Sequence, residues 1–153
     1  MAEHTASIEW VGKGENFLGN KYSRAHTWLF DGGLEVPASA SPHIVPQPWS
    51  KPEHVDPEEA FIAALASCHM LFFLSIASEH GFEVNRYTDQ AVGILTKNSE
   101  GKNAITEVIL KPRAVFAAAT LPNPAELETM HHSAHEQCFI ANSVTTKITI
   151  VPA

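Results

Sequence analysis

The chain contains two cysteines, Cys68 and Cys138, whose chemistry is the first question that the sequence raises. Two cysteines are too few for the disulfide scaffold of a small secreted protein. In a reducing compartment such a pair is either inert core filling or a redox pair. For each cysteine alone, packing as a small buried hydrophobe is the commoner role. A disulfide between them would require Cα atoms within about 7 Å, which spacing cannot establish.

A reactive cysteine has to be a thiolate and therefore needs a cation nearby. Arg24, which precedes a predicted strand, is a candidate because a guanidinium does not deprotonate, although a lone loop arginine is usually a solvated surface charge. Glu58 and Glu59 occupy the first turn of a predicted helix, where negative charge is favourable. Glu59 is explained as a capping residue and Glu58 is not, so Glu58 is the better candidate for a role at a site.

Three histidines, His131, His132 and His135, precede Cys138 on a second predicted helix. His131 and His135 are spaced like the two histidines of a helical zinc pair. This stretch has no third ligand at standard spacing, so exposed histidines on a solvated face are the preferred interpretation. We therefore predict no metal and no cofactor, with a histidine metal site as an alternative.

A long apolar helix is predicted between Asp56 and Gly81. Asp56 suits the N-cap, Pro57 the first helical position, Glu59 a capping box and Gly81 the C-terminal cap. From residue 60 to 77 the helix is apolar nearly all round, which indicates burial on all sides or a membrane span. Because the run barely reaches the roughly 20 residues that a membrane requires and contains a histidine, we predict a central core helix.

The remaining pattern predicts strands, one further helix and a long loop. The strands are predicted over residues 6–11, 25–30, 34–37, 85–97, 104–117 and 144–151, and the second helix over 124–137 with Asn123 as its cap. Pro112 indicates an edge position or a bulge. The loop over 38–55 has four prolines and is long enough to expect a functional role. This order predicts a single α+β domain over residues 1–153 with mostly antiparallel sheets.

Composition excludes several classes of partner. The formal net charge is −7 and no basic cluster is present, which argues against nucleic acid and anionic lipid. Charged residues make up only 18% of the chain, so an oligomer that hides apolar surface is favoured. The first residues lack a basic region followed by an apolar run, so we expect a cytoplasmic protein.

Taken together, these residues resemble the OsmC/Ohr family of organic hydroperoxide peroxidases. Pro57-Glu58 is followed, ten residues after the glutamate, by Cys68, and Ala63-Ala64 matches the same helix. A second cysteine follows an amphipathic helix in the segment 134–138, and Arg24 precedes a strand that ends in Asp-Gly-Gly. Phe139 stands where the family commonly has proline, Asp56 replaces asparagine, and the loop over 38–55 is longer than in compact members.

The resemblance implies a mechanism, an assembly and a set of roles. Cys68 attacks the peroxide and becomes a sulfenic acid, Cys138 condenses with it to a disulfide, and a dithiol, such as one of the lipoyl type, reduces that disulfide. Arg24 stabilises the thiolate and Glu58 holds the guanidinium. The fold is implied to be antiparallel sheets packed on the central helix in an intertwined homodimer. The alternative is a ligand-binding or structural protein of the same fold with inert cysteines.

The spacing of Glu58 and Cys68 also bears on the assembly. Ten residues along a helix separate their Cα atoms by about 15 Å, more than one arginine can bridge. A twofold axis that crosses two such helices antiparallel would bring Glu58 of one chain beside Cys68 of the other. We therefore expect a site shared between two copies of the chain.

Overall fold

The computed structural model describes all 153 residues, which form two compact units, Met1–Ala60 and Phe61–Ala153. The strands are β1 Ala6–Glu9, β2 His26–Phe30, β3 Glu35–Ala38, β4 Val84–Asp89, β5 Val92–Lys97, β6 Asn103–Leu110, β7 Pro112–Phe116 and β8 Lys147–Ile150, and the helices are α1 Pro57–Glu79, α2 Pro124–Gln137 and the one-turn 3-10 helix Ala141–Ser143. The predicted α+β class is confirmed. That the whole chain acts as a single domain stays a prediction.

The first unit contains a three-stranded antiparallel sheet in the order β1-β2-β3. The predicted hairpin is confirmed, and Gly33 in its turn has a φ of 84°, which suits a residue without a side chain. After Ala38 the chain is irregular up to the start of α1, as the prolines predicted. This loop is closed at its base, because the Ser39 N–H donates to the Val55 carbonyl at 3.0 Å.

Both predicted ends of α1 are confirmed. The Glu59 N–H donates to Asp56 Oδ1 at 2.8 Å and the Asp56 N–H donates to Glu59 Oε2 at 3.2 Å, which completes the capping box. At the other end Gly81 has a φ of 78°, and the Phe82 N–H donates to the Ala77 carbonyl at 2.9 Å. Such a glycine lets the chain turn away from a helix without steric conflict.

Helix α1 is buried along one stripe only, so the prediction of burial on all sides is wrong for the single chain. The buried residues are Leu65, His69, Phe73, Ile76 and Ala77. The opposite face is exposed at Ala64, Ser67, Leu71, Ser75 and Ser78. By length and composition alone α1 could cross a membrane, but its buried stripe packs into the protein core, which marks it as a core helix.

The second unit shows that the two long predicted strands were wrong in extent. Each segment is divided into two strands, so that β4 pairs with β7 in one sheet while β5 pairs with β6 in another. The break before β7 falls at Pro112, which has no N–H to continue a ladder. The last strand, β8, is shorter than predicted and pairs with β6 in parallel.

Two hydrophobic clusters make up the core of the second unit. One joins α1 to α2 through Phe73, Ile76, Ala77, Met130 and Ala134. The other joins α1 to the sheet of β5, β6 and β8 through Leu65, Val108 and Leu110. Helix α1 therefore fixes the position of α2 on one side and of the larger sheet on the other.

Candidate active site

The structure brings Cys68 and Cys138 into contact although seventy residues separate them in the sequence. Cys68 lies in the middle of α1 and is half-buried, whereas Cys138 caps the C-terminal end of α2 and is 1% exposed. Both thiols are free, and Cys68 is close enough to Cys138 to influence its ionisation. The two side chains are therefore neighbours, which the sequence spacing left open.

Cys138 is a weaker acid than an ordinary cysteine thiol. The pKa of Cys138 is raised to about 11, chiefly by burial and also by the neighbouring Cys68, although the N–H groups of Ala141 and Ile140 act in the opposite direction. The Ala141 N–H lies 3.4 Å from Cys138 Sγ. Cys138 is consequently protonated near neutral pH, which suits a thiol that reacts second rather than first.

A short turn and an aromatic contact hold Cys138 in place. The Cys138 N–H donates to the His135 carbonyl at 3.2 Å, and the Asn142 N–H donates to the Cys138 carbonyl at 3.0 Å. Phe139 is 71% exposed, and its ring meets that of Phe72 edge-to-face with centroids 5.0 Å apart. Because Phe72 lies one turn beyond Cys68 on α1, this aromatic pair sits beside both cysteines.

A buried pair of histidines lies next to the cysteines. His69 Nε2 and His131 Nδ1 are 3.0 Å apart, and Phe73 stacks on His131 with ring centroids 4.3 Å apart. His69 is 1% exposed and His131 4%, so the prediction of exposed histidines is wrong for His131, while His132 is exposed as expected. Leu127, His131, Ala134 and Cys138 recur at helical spacing, a pattern that indicated the buried face.

Burial keeps both histidines uncharged. The pKa values of His69 and His131 are both lowered to about 4, chiefly by burial, and for His69 also by the charges of His131 and His135. The second ring nitrogen of His69, Nδ1, is fully buried and has no hydrogen-bond partner. His69 also lines a gap too small for water, together with Leu65, Leu110, His135, Cys138, Ala141 and Ile148.

The structure does not assemble a set of ligands for the alternative of a histidine metal site. No group of three or more histidine, cysteine, aspartate or glutamate side chains is arranged to hold a metal ion. His131 is occupied by His69, and His132 faces solvent instead of joining it. The histidines of α2 thus point in different directions and do not converge on one centre.

Arg24 lies in the first unit beside an aromatic cluster. Its guanidinium donates to Asn20 Oδ1 at 2.6 Å and stacks over the Tyr22 ring, with 3.7 Å from Cζ to the ring centroid. Trp10 and Phe17 complete the cluster, and an open apolar groove of about 460 Å³ runs past these residues. A cation at the rim of an apolar groove suits a ligand with one polar end.

Glu58 belongs to the same unit and is half-buried in the first turn of α1. The ion pairs within the chain are Lys102–Glu100 and Lys147–Glu107, and neither involves Glu58 or Arg24. A pair between Arg24 and Glu58 is therefore not formed inside one chain. Their joint role stays a prediction, as does the shared site that would unite them.

Similarity to other proteins agrees with this architecture. A family model described as OsmC-like protein matches residues 50–152. An OsmC-like protein of unknown function from Vibrio cholerae is 56% identical, with a TM-score of 0.98 and full coverage of both chains. No protein with a curated function matches the chain significantly.

More distant structures share the fold. An organic hydroperoxide resistance protein from Legionella pneumophila is 18% identical, with a TM-score of 0.71 over 100% of this chain and 99% of that one. The organic hydroperoxide resistance protein OhrB of Bacillus subtilis is 19% identical, with a TM-score of 0.66 over 97% of this chain and 98% of its own. The match of the family model over most of the chain and the close Vibrio relative place this protein in the OsmC-like family.

Proposed function

We propose that this protein is a thiol-dependent peroxidase that reduces organic hydroperoxides to alcohols. The observation that carries the proposal is the contact between the Cys68 and Cys138 thiols. Inert core cysteines have no need to meet, whereas a peroxidatic cysteine and its resolving partner do. Membership of a family that includes hydroperoxide resistance proteins supports the same activity.

The chemistry divides into three balanced steps. The Cys68 thiolate attacks the distal peroxide oxygen, so that an S–O bond forms, the O–O bond breaks and the departing alkoxide takes a proton to become the alcohol. The Cys138 sulfur then attacks Cys68, the S–O bond breaks and water leaves. A dithiol finally reduces the Cys68–Cys138 disulfide and is itself oxidised. The second step protects Cys68 from irreversible over-oxidation.

Arg24 and Glu58 complete the proposed site. Arg24 supplies a fixed positive charge for the Cys68 thiolate, and Glu58 holds the guanidinium through a bidentate pair. Phe72, which is half-buried one turn beyond Cys68, and Phe61 on the same helix favour apolar hydroperoxides over hydrogen peroxide. We place the protein in the cytoplasm, where thiols stay reduced.

The proposed site is shared between the two chains of a homodimer. The exposed stripe of α1 is rich in small residues and contains Leu71, which is 60% exposed. A second copy that packs against this stripe would cover it and bring Glu58 of one chain beside Cys68 of the other. An unpaired Glu58 in the single chain is in keeping with that arrangement.

Stopped-flow oxidation by tert-butyl hydroperoxide and by hydrogen peroxide, measured side by side, tests the activity. We expect fast oxidation by the organic peroxide and a much slower reaction with hydrogen peroxide. If both thiols react no faster than those of an unfolded peptide, the protein is instead a ligand-binding or structural member of the family with inert cysteines. A titration of fast-reacting thiols separates the same two outcomes.

Mixed dimers test the sharing of the site. An inactive Glu58→Ala chain is mixed with an inactive Cys68→Ser chain, and subunit exchange is verified by mass spectrometry. Shared sites predict that each mixed dimer recovers one working site. Absence of any recovery after complete exchange would show that each site is contained within one chain.

A further inference from the structure

Cys138 needs a route for its proton that its surroundings do not offer directly. In the proposed cycle its sulfur loses a proton when the disulfide forms and regains one when a dithiol reduces it. The residue is 1% exposed, burial raises its pKa to about 11, and the gap beside it is too small for water. A neighbouring side chain that carries the proton would connect the buried sulfur with solvent.

The titratable side chains around Cys138 are few. Cys68 contacts the thiol, but it is itself a reactant in the disulfide step. His69 and His135 line the same gap, His69 from α1 and His135 from α2. No lysine, arginine, aspartate or glutamate lines it. An imidazole can accept a proton on one nitrogen while releasing one from the other, which makes the histidines the candidates.

His69 carries the stronger evidence of the two. Its Nδ1 is fully buried and unpaired, although an unsatisfied buried polar atom costs about 1–3 kcal/mol. Two apolar side chains could fill the space between α1 and α2 without that penalty. An unpaired buried atom on a side chain that lines the same gap as Cys138 calls for a functional explanation, because most such atoms in proteins find partners.

The two histidines also connect the gap with the surface. His69 Nε2 lies 3.0 Å from His131 Nδ1, so one proton is shared between the rings. The far nitrogen of His131, Nε2, makes no hydrogen bond within the protein, and the residue retains 4% exposure. A continuous path therefore runs from the gap through His69 and His131 to the outside.

We propose that His69 and His131 form a proton relay that serves the thiol of Cys138. The inference rests on the proposed function, whose disulfide step it completes. His69 exchanges the proton with Cys138, and His131 acts through His69 to connect it with solvent. The relay works in both directions, once when the disulfide forms and once when it is reduced.

Both histidines are neutral before the proton transfer and neutral again after it. Before the step the protons are on His69 Nε2 and His131 Nε2, and His69 Nδ1 is bare. The Cys138 proton moves to His69 Nδ1, the shared proton moves to His131 Nδ1, and His131 Nε2 releases its proton to solvent. The Cys68 S–O bond breaks as the S–S bond forms, and the hydroxide takes a proton from solvent to become water. Reduction by a dithiol reverses the shift and returns the proton to Cys138.

Disulfide formation induced by diamide tests the relay without any hydroperoxide. Diamide first adds to the Cys68 thiolate in a second-order phase, and Cys138 then displaces the hydrazine in a first-order phase. In His69→Gln the amide replaces Nε2 toward His131 but leaves nothing at Nδ1. We expect its first-order phase to slow by about 10²-fold, the usual contribution of a positioned proton acceptor, while the second-order phase is unchanged.

The pH profile separates a relay from a structural role. With the relay the first-order rate is flat between about pH 6 and 8, because the histidine accepts the proton as the S–S bond forms. Without it the rate should rise about tenfold per pH unit, since the thiolate of a group with a pKa far above the working pH increases in that proportion. His131→Asn, which keeps a polar atom near Nδ1 and removes Nε2, should behave like His69→Gln. Misfolding would instead lower both phases at every pH.

Three results would overturn the relay. One is a wild-type rate and profile in both His69→Gln and His131→Asn. Another is loss of the flat profile in His135→Gln alone, which would route the proton through His135. The third needs no variant: a first-order phase of the unmodified chain that is equally fast in D₂O and H₂O. If hydroperoxides fail to react but the diamide results hold, the peroxidase proposal fails and the relay stands.

Discussion

Cys68 and Cys138 are identical side chains in contact, yet their surroundings differ in almost every respect. Cys68 lies in the middle of a helix, is half-buried, and borders an exposed stripe of α1. Cys138 ends a helix, is 1% exposed, and has its pKa raised to about 11. The buried His69–His131 pair adjoins the gap beside Cys138.

The difference shows how one pair of thiols can be given an order of reaction. A substrate can reach a half-buried thiol, whereas a fully buried thiol can react only with a group on a side chain that contacts it. Because nucleophilic strength at neutral pH depends on the thiolate fraction, a thiol held protonated does not compete for the peroxide. In the proposed peroxidase cycle, burial of Cys138 would thus leave the first attack to Cys68 and keep Cys138 for resolution.

The largest expected effect comes from replacing each of the two cysteines in turn by serine. Cys68→Ser should lower the rate of hydroperoxide reduction on the order of 10³-fold or more, because the covalent step has no substitute nucleophile. Cys138→Ser should consume one equivalent of peroxide and then stall as a sulfenic or sulfinic acid. Burst kinetics with intact-mass spectrometry distinguishes these two outcomes.

Gln137→Ala is the matched control, since it alters the exposed neighbour of Cys138 without touching either sulfur. It should turn over like the unmodified chain. Normal multiple turnover by Cys138→Ser with a dithiol would contradict the resolving role. A burst in Cys68→Ser would reverse the order of the two cysteines.

A second effect, on stability, tests the buried histidines beside Cys138. Their pKa values fall from 6.5 to about 4 on folding, so the folded state favours the neutral forms. The stability that this preference contributes is complete above pH 6.5 and is lost as the pH falls toward 4. Each group could account for roughly 3 kcal/mol at the acid end. Urea unfolding between pH 7 and 4 measures the loss.

His132→Gln provides the control, because His132 is exposed beside His131 on the same helix. Its pH dependence of unfolding should match that of the unmodified chain. The double variant His69→Gln, His131→Gln should lose less of its free energy of unfolding between pH 7 and 4 than the unmodified chain, since neither amide gains a proton in this range. If the double variant loses as much stability at acidic pH as the unmodified chain, the loss comes from other groups.

The sequence predicted the positions of the helices and strands better than it predicted which strands pair with one another. Capping residues made the ends of α1 and α2 predictable, because Asp56, Gly81 and Asn123 act through bonds to their own neighbours. The breaks between β4 and β5 and between β6 and β7 were missed, since both segments keep their strand character through a change of sheet. Local pattern does not specify which strand lies beside which.

The candidate site shows the same limit. The two cysteines could be singled out from their positions, but their contact arises from the packing of α1 against α2 through residues such as Phe73 and Met130. The His69–His131 pair was missed because it joins residues 62 positions apart on two helices. The helical spacing of His131 with its apolar neighbours is the one sequence signal that could have shown this histidine to face inward.

Smaller effects are expected from the caps of the two helices that carry the cysteines. Asp56→Ala at α1 should lower the free energy of unfolding by close to 2 kcal/mol, because this cap is 7% exposed and its capping box is complete. Asn123→Ala at α2 should cost nearer 0.5 kcal/mol, since Asn123 is exposed. Urea unfolding of the two variants compares them directly, and equal losses would show that burial does not distinguish the two caps.

The smallest expected effect concerns Phe139, the residue that follows Cys138. Its edge-to-face contact with Phe72 lies beside both cysteines, but 71% exposure keeps the coupling near the lower end of about 0.5–1.5 kcal/mol. A double-mutant cycle with Phe72→Leu and Phe139→Leu measures that energy. Because Phe139 is joined directly to Cys138, its loss should also let an alkylating reagent reach Cys138 several times faster while the rate at Cys68 stays the same. Equal acceleration at both thiols would mean that the aromatic pair shields the dithiol as a whole, and the contrast between the two cysteines would then rest on burial of Cys138 in the core alone.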